Sequence, residues 1–388
     1  MSVKSDGTLS TCARVALAAA LAALVLAATP AAAAVLRQSP DPTPGFNGPV
    51  LATVYAGSTV YIGGDFTHAL VAGKRIPRAG LAAVDTRSGA LLDWAPTANG
   101  TVTALAAYRD DLFVAGLFDH INGVKRDSLA KVDGATGALK PGWKHMILGK
   151  PFALAVGHGR LYLGGGITQV GSYRRTALAA FSLATGELDV RWAPSADNGV
   201  TQLGVTAERV YVAGKFRRID DIKGSGRVAA VDPVTGELDL GFRAAAAAER
   251  AFGMAVTPEA LYVAHGGLGG RIRAYDHAGR TLWQLTTDGD AQAVTRVGDV
   301  VYFGGHFDEV CGSSRVGDHG TCLDGSHPRG KLAAADRHDG TLLSWRPSGN
   351  GVAGATTMAA DADSLAVGGN FTTINDVTQK RFALFRLP

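Results

Sequence analysis

The chain has 388 residues, with 38 Lys+Arg against 34 Asp+Glu, a net charge of +4 and only 19% charged residues. Apolar residues make up 46% and there are 51 glycines. This balance excludes charge-driven disorder, collagen and coiled coil, and a +4 excess over this length does not point to nucleic acid. What remains is a glycine-punctuated, turn-rich fold with a large core.

Lys4 and Arg14 precede an apolar run at 15–28, followed by Thr29, Pro30 and four alanines. A basic start, an apolar stretch and a small-residue A-x-A site predict a secretory signal peptide over 1–34, with Ala32 and Ala34 as the small pair. The alternative is an uncleaved anchor, because 15–34 is long enough to cross a bilayer. Weakly apolar alanine and the break at Pro30 favour cleavage. No other stretch approaches spanning length, so the mature chain, 35–388, is expected to have no membrane span and to lie outside a bacterial cell.

One unit then repeats. TVYIGGDF (59–66) returns as DLFVAGLF (111–118), RLYLGGGI (160–167), RVYVAGKF (209–216), ALYVAHGG (260–267), VVYFGGHF (300–307) and SLAVGGNF (364–371). An alternating run precedes each copy, such as TVTALAAY (101–108). After it comes LAAVDTRSG (81–89) or a relative of it, then a run that usually carries an aromatic: Trp94, Trp192, Phe242, Trp283, Trp345. Period-two alternation bounded by Gly, Asp and Asn is the signature of short strands and hairpins. Four strands repeated seven times predict an all-β, seven-bladed β-propeller with four-stranded blades.

The recurring residues have mechanical roles. In D-x-x-[ST]-G the Asp caps its own turn and the Gly takes a positive φ. The paired glycines suit a bulge or a close strand approach. The aromatic of the fourth run is expected to pack between neighbouring blades. The last copy ends at RFALFRLP (381–388), inside its third strand. DPTPGFNGPV (41–50) matches the segment that joins the first two copies, so the N-terminal segment is expected to supply the outer strand of the last blade and leave no open edge.

The unit GG-x-F-T…G-x-x-R-x-x-L-A-A-x-D-x-x-[ST]-G-x-L-x-x-W-x-P resembles a repeat of secreted actinobacterial propellers of unassigned function, over about 48–388. The Arg- and Ala-rich composition suits a GC-rich source. The part A-x-D-x-x-T-G-x-x-x-W is similar to the tryptophan-docking motif of quinoprotein (PQQ-type) propellers. Quinone chemistry in such propellers implies eight blades, a calcium held by carboxylates, a catalytic Asp and often adjacent cysteines. This chain has seven units, no adjacent cysteines and no D-x-[DN]-x-[DN]-G loop. Fold likeness does not carry chemistry with it.

No G-x-S-x-G or H-E-x-x-H signature occurs. The acidic pairs Asp220-Asp221 and Asp308-Glu309 sit on adjacent positions, which on an extended segment point oppositely. Variable length concentrates between second and third strands, longest at 306–331, and variable loops on a rigid scaffold are where binding residues gather. These segments carry Arg78, Arg126, Arg175 and Arg329, each three residues before the third strand. Two readings stand: pairing with a nearby Asp to orient the blade, or a basic arc for an anionic glycan, cell-wall polymer or surface protein. The long segment holds His306, Asp308 and Glu309, candidate ligands for a divalent cation, and otherwise reads as a solvated insertion. Cys311 and Cys322 within it read as a disulfide in an exported chain, with a zinc pair as the alternative at an unusual spacing. No cofactor is predicted. The functional expectation is a non-catalytic binding or scaffold module. The alternative is an extracellular enzyme at the propeller mouth, a polysaccharide hydrolase or lyase or a quinone-type oxidoreductase.

N-terminal sequencing of secreted protein is expected to begin at Val35. Membrane-bound protein retaining Met1 would identify an anchor instead.

Overall fold

The computed structural model describes residues 34–223, 227–245 and 249–388. The expected signal segment lies outside the described residues except for Ala34. Among the described residues no helix is long and apolar enough to cross a membrane.

The unit of structure is an antiparallel three-stranded meander. In the first repeat it runs Val50–Ala56, Thr59–Gly64, Leu81–Asp85. The same meander is built on Thr101–Tyr108, Ile147–Gly157, Val200–Val205, Arg250–Val256, Ala291–Val297 and Ala355–Ala360. These first strands lie side by side in sequence order, and the last lies against Val50–Ala56. Thr53 Oγ1 and Thr357 Oγ1 share a hydrogen bond of 3.2 Å there, and Thr356 Oγ1 donates to Val50 O. The second strands are buried almost throughout, as VYIGG and VYFGG require.

Each first strand slips register against its partner, for example between Val50 and Ala52, and between Val102 and Ala104, and Ile147–Gly157 slips twice. This bulge explains the glycine pairs. A Cβ at Gly64, Gly116 or Gly165 would lie 2.1–2.2 Å from the carbonyl oxygen of Pro49, Thr101 or Lys150, so only glycine fits without a shift. The D-x-x-[ST]-G turns also form as expected. Asp85 Oδ1 accepts from Arg87 N, Ser88 N and Ser88 Oγ at 2.7–3.1 Å, and Gly89 has φ 73°. In the third repeat Ser182 takes the Asp position and accepts only Thr185 N, at 3.3 Å.

The fourth strand differs from expectation. After the turn most repeats make a single β-bridge, such as Val84 to Leu91 or Phe181 to Leu188, and then leave the sheet. Among the described residues only the fifth repeat completes a fourth strand, Thr281–Thr287. In the first, third and sixth repeats WAP or WRP places a proline two residues after the tryptophan, where a continuing strand needs an N–H, and TLWQLTT has none. The second and fourth repeats, with Trp143-Lys144-His145 and Phe242-Arg243-Ala244, also leave the sheet after one bridge, so the proline is not the sole cause.

Leaving the sheet lets the tryptophan turn between blades. Trp94 Nε1 donates to Asp133 O at 3.1 Å, Trp192 Nε1 to Asp232 O at 3.1 Å and Trp283 Nε1 to Arg337 O at 2.8 Å, each acceptor lying in the turn of the next repeat. The tyrosine of the second strand packs on the same ring, with Tyr61–Trp94 centroids at 4.9 Å, Tyr162–Trp192 at 5.0 Å and Tyr302–Trp345 at 4.8 Å. Tyr61 OH and Tyr162 OH donate to Gly134 O and Pro233 O, also in the next repeat. Both polar tips of a buried aromatic pair are thereby satisfied across the blade boundary.

At the last boundary the N-terminal segment takes the part of the next turn. Trp345 Nε1 donates to Arg37 O at 3.0 Å, and Leu36 N to Tyr302 OH at 2.9 Å. Arg37 N and Asp41 N bond to Arg386 O and Leu384 O, on the strand Phe382–Arg386. Leu36 and Phe46 are fully buried.

Deleting residues 35–46 is expected to lower the melting temperature of the whole chain rather than trim a tail, because it uncovers a sheet edge and removes the core residues Leu36 and Phe46. Trp192→Ala is expected to cost about 3–5 kcal/mol, and Trp192→Phe, which loses chiefly the hydrogen bond, about 1 kcal/mol. Thermal unfolding of the three variants checks this.

Candidate functional site

The connections after the second strands and those between repeats meet on one face. The sequence reads the former as loops, yet most are small β-hairpins. His68–Val71 pairs with Lys74–Pro77, His120–Ile121 with Val124–Lys125, Arg218–Ile219 with Ile222–Lys223, and Thr373–Ile374 with Val377–Thr378. Several of their tips hold two residues at positive φ: Asn122-Gly123, Asp220-Asp221, Asn375-Asp376. That is the hairpin turn that glycine, asparagine and aspartate accept most readily. Asp220 and Asp221 are therefore turn residues, and Asp220 Oδ1 is engaged by Ser195 N and Oγ at 2.7 and 3.0 Å.

A second recurring polar residue locks these hairpins and escaped the sequence reading. Asn47, Asn99, Asp197, Asp288 and Asn350, in the segments between repeats, each accept two consecutive backbone N–H groups. The donors for Asn47 are Thr67 N and His68 N at 2.9 Å, and for Asp288 they are Asp308 N and Glu309 N at 2.9 Å. The signal was present as the Asn or Asp shortly before five of the seven first strands. The hairpins carry exposed apolar side chains, Val124, Tyr173, Ile222, Leu268, Leu323 and Val377.

Arg78, Arg126, Arg175 and Arg329 occupy equivalent positions beneath the hairpins, and the first three are only 7–8% exposed. Arg78 Nη1 and Nη2 donate to Pro77 O and Leu92 O at 2.8 and 2.7 Å. Arg126 Nη1 donates to Lys125 O, Arg175 Nη2 to Asp189 O and Val190 O, and Arg329 Nη2 to Leu343 O. Burial holds the Arg78, Arg175 and Arg329 guanidinium pKa values below the usual arginine range. Three of the four thus grip the chain where it leaves the sheet ahead of the tryptophan or its equivalent, supplying hydrogen bonds that a fourth strand would have made.

In the sixth repeat Glu309–Cys311 pairs with Ser326–Pro328, and a Cys311–Cys322 disulfide closes the hairpin with Cα atoms 5.1 Å apart. His306 and Asp308 are exposed, and Asp308 Oδ1 pairs with Lys331 Nζ at 2.9 Å. The structure does not bring His306, Asp308 and Glu309 together as a ligand set. Among the described residues no group of three or more His, Cys, Asp or Glu side chains is placed to hold a metal.

The first strands surround a central cavity of about 110 Å³. Its polar lining is Thr53, Thr103, Gln202, Gln292, Thr356 and Thr357, with Phe152, Met254 and Met358 among the apolar groups. Thr103 Oγ1 donates to Pro151 O at 2.7 Å in the neighbouring strand. Hydroxyls and amides hydrogen-bond; none of these groups ionises near neutral pH.

A sequence family described as outer membrane protein assembly factor BamB, with PQQ-like repeats, matches residues 174–380. No curated protein matches the chain in sequence. Among solved structures, the crystal structure of RRP9 WD40 repeats is 12% identical, covers 89% of this chain and 96% of its own, and superposes with a TM-score of 0.59. The computationally designed Ika8 protein is 14% identical over 88% of this chain and 98% of its own, at a TM-score of 0.48. The fold is a propeller of the PQQ and WD40 kind.

One buried ionisable group stands apart from these. His265 occupies the second-glycine position of the fifth repeat, is 0% exposed, and neither ring nitrogen has a hydrogen-bond partner among the described residues. Burial first, then Arg273 and Arg271, push its pKa down to about 3, with Arg227 adding to the effect and Glu249 opposing it. An unfolded histidine titrates near ~6.5. Below that pH the unfolded chain binds a proton that folded His265 refuses, so stability falls as pH drops from ~6.5 toward 3. His265→Gly, the residue of all six other repeats, is expected to flatten melting temperature against pH between 6.5 and 4. An unchanged slope would mean that His265 does not contribute to it.

Proposed function

The chain belongs to the PQQ-like repeat family described as outer membrane protein assembly factor BamB, and from that premise we propose that it is an exported, seven-bladed propeller that works by binding rather than by catalysis. Seven sequence copies, first strands in unbroken succession, and an N-terminal segment bonded along Phe382–Arg386 support the seven-bladed ring closed at its termini. A disulfide and a family named for an outer-membrane assembly factor support a place outside the cytoplasm, with residues 1–34 as the export signal and 35–388 as the propeller.

The observation that carries the binding reading is the contrast between the two places where a propeller usually works. The central cavity offers threonine, glutamine and apolar groups. Hydrolysis of a polysaccharide asks for a pair of carboxylates, and quinone chemistry asks for a carboxylate-held cation, so the lining favours neither. The hairpin face presents apolar side chains at its tips on a base fixed by paired Asn and Asp locks and buried arginines. Exposed apolar groups on a rigid, polar-rimmed face are the usual anatomy of an interaction surface. The partner is an anionic glycan, a cell-wall polymer or a surface protein of the same envelope, bound without a cofactor.

Co-sedimentation of the purified protein with isolated bacterial envelopes tests this. The wild-type chain is expected to sediment. Replacing Val124, Tyr173, Ile222 and Val377 together by Ser is expected to weaken binding at least tenfold with little change in melting temperature. Val234→Ser with Leu240→Ser, away from the hairpins, is expected to change nothing. Absence of binding, or equal loss in both variants, would contradict the assignment.

A further inference from the structure

Between the fourth and fifth repeats the hairpin face opens into a pocket of about 580 Å³, lined by Asp197, Asn198, Lys215, Arg217, Arg227 and Arg250. Four cations face one carboxylate. That carboxylate is already engaged: Asp197 Oδ1 is the lock of this repeat and accepts Arg217 N and Arg218 N at 2.6 and 3.1 Å. The nearby Glu249 is held by Arg271 and, at 3.8 Å, by Arg273. Among the described residues, Lys215, Arg217 and Arg250 make no ion pair. Arg227 is buried and donates to the carbonyls of Lys215 and Phe216, which fixes its charge at the base of the pocket.

Other repeats show how unusual this is. Lys331 stands where Arg227 stands, and it pairs with Asp308 at 2.9 Å. In the seventh repeat Arg381 takes that place and donates to Asn370 Oδ1 at 3.3 Å. In the fourth repeat the position of Asp308 is Arg217, so a cation stands where the sixth repeat has a carboxylate. Arg217 and Arg250 lower the Arg227 pKa after burial, as like charges crowded together must. The positive field continues inward to His265, which stays neutral beside Arg273, Arg271 and Arg227.

Cations with no ion pair among the described residues, here Lys215, Arg217 and Arg250, crowded over a built pocket lower their free energy by binding an anion. One carboxylate satisfies one guanidinium fork. A dianionic phosphate has three terminal oxygens and can accept from two forks and an ammonium at once. We propose that this pocket binds a phosphate group, free or esterified, through Arg217, Arg250 and Lys215 over the buried Arg227. The assignment rests on the hairpin face being the binding face and gives it a ligand chemistry.

Calorimetric titration of the full chain with inorganic phosphate, glycerol 3-phosphate and acetate is the test. Phosphate or its ester is expected to bind at least tenfold more tightly than acetate. Arg217→Ala with Arg250→Ala is expected to weaken that binding at least tenfold. Both residues are exposed, so the fold is expected to persist. Should that variant unfold, Arg217→Lys with Arg250→Lys, which keeps the charge but loses the forks, is expected to weaken binding at least threefold, and unchanged affinity there would count against the site. Lys74→Ala with Arg75→Ala, an equal charge change on the exposed first hairpin, is expected to leave binding intact. Tighter ester than free phosphate assigns an esterified ligand, and the reverse order assigns the free ion. Equal affinity for acetate, an unaffected Arg217/Arg250 variant, or equal loss in the Lys74/Arg75 variant would overturn the proposal. Envelope binding is read separately, so failure of the pocket leaves the face assignment standing, and failure of envelope binding leaves the phosphate result readable.

Discussion

The structure depends on a tyrosine–tryptophan pair that reaches from one repeat into the turn of the next. A three-stranded meander buries only part of its own apolar surface, and two meanders must be joined face to face to exclude water. The pair does this with two large rings at about 5 Å and two hydrogen bonds whose acceptors belong to the neighbour. Those acceptors exist only when the neighbour's D-x-x-[ST]-G turn is formed. Local turn chemistry and long-range packing are therefore one constraint. Substitutions of the pattern are compensated where they occur: in the fourth repeat Phe242 replaces tryptophan, and Tyr211 OH bonds to His277 Nδ1 at 2.8 Å instead.

Most of the fold was legible because these constraints recur. Glycine pairs, turn aspartates and the aromatic run marked strands, bulges and repeat boundaries, and the match between 41–50 and the first inter-repeat segment pointed to the N-terminal segment, whose Arg37 and Asp41 amides bond to Phe382–Arg386. Two features were read less well. The fourth strand is mostly absent; a proline after the tryptophan marks this in three repeats, while the second and fourth leave the sheet without that sign. Trp143 escaped notice because Lys144 and His145 follow it in place of Ala-Pro, although it lies four residues after Leu139 as Trp192 lies after Leu188; it packs on Phe113 at 4.7 Å.

The candidate site was much less legible. A fixed arginine before four of the third strands suggests either a basic arc or pairing with a nearby Asp, but a side chain's direction is set by backbone geometry that spacing alone does not reveal. Several guanidiniums turn inward to carbonyls of their own repeat. The cations of the phosphate pocket, Lys215, Arg217, Arg227 and Arg250, are scattered over 36 positions of the chain. They meet because a blade boundary brings the end of one second strand to the start of the next first strand. The hairpins, too, were hidden, since two-residue strands leave almost no periodic signal.

Closure by the N-terminal segment is where the account is most exposed, since it makes a chain terminus part of the core. Native-state hydrogen exchange on the amides of Arg37 and Asp41 tests it most directly. If the segment completes the last blade, both amides exchange only with global unfolding, as slowly as those of Leu178–Ser182 in the middle of the chain. Exchange at the rate of a frayed terminus, with Leu178–Ser182 still protected, would contradict it.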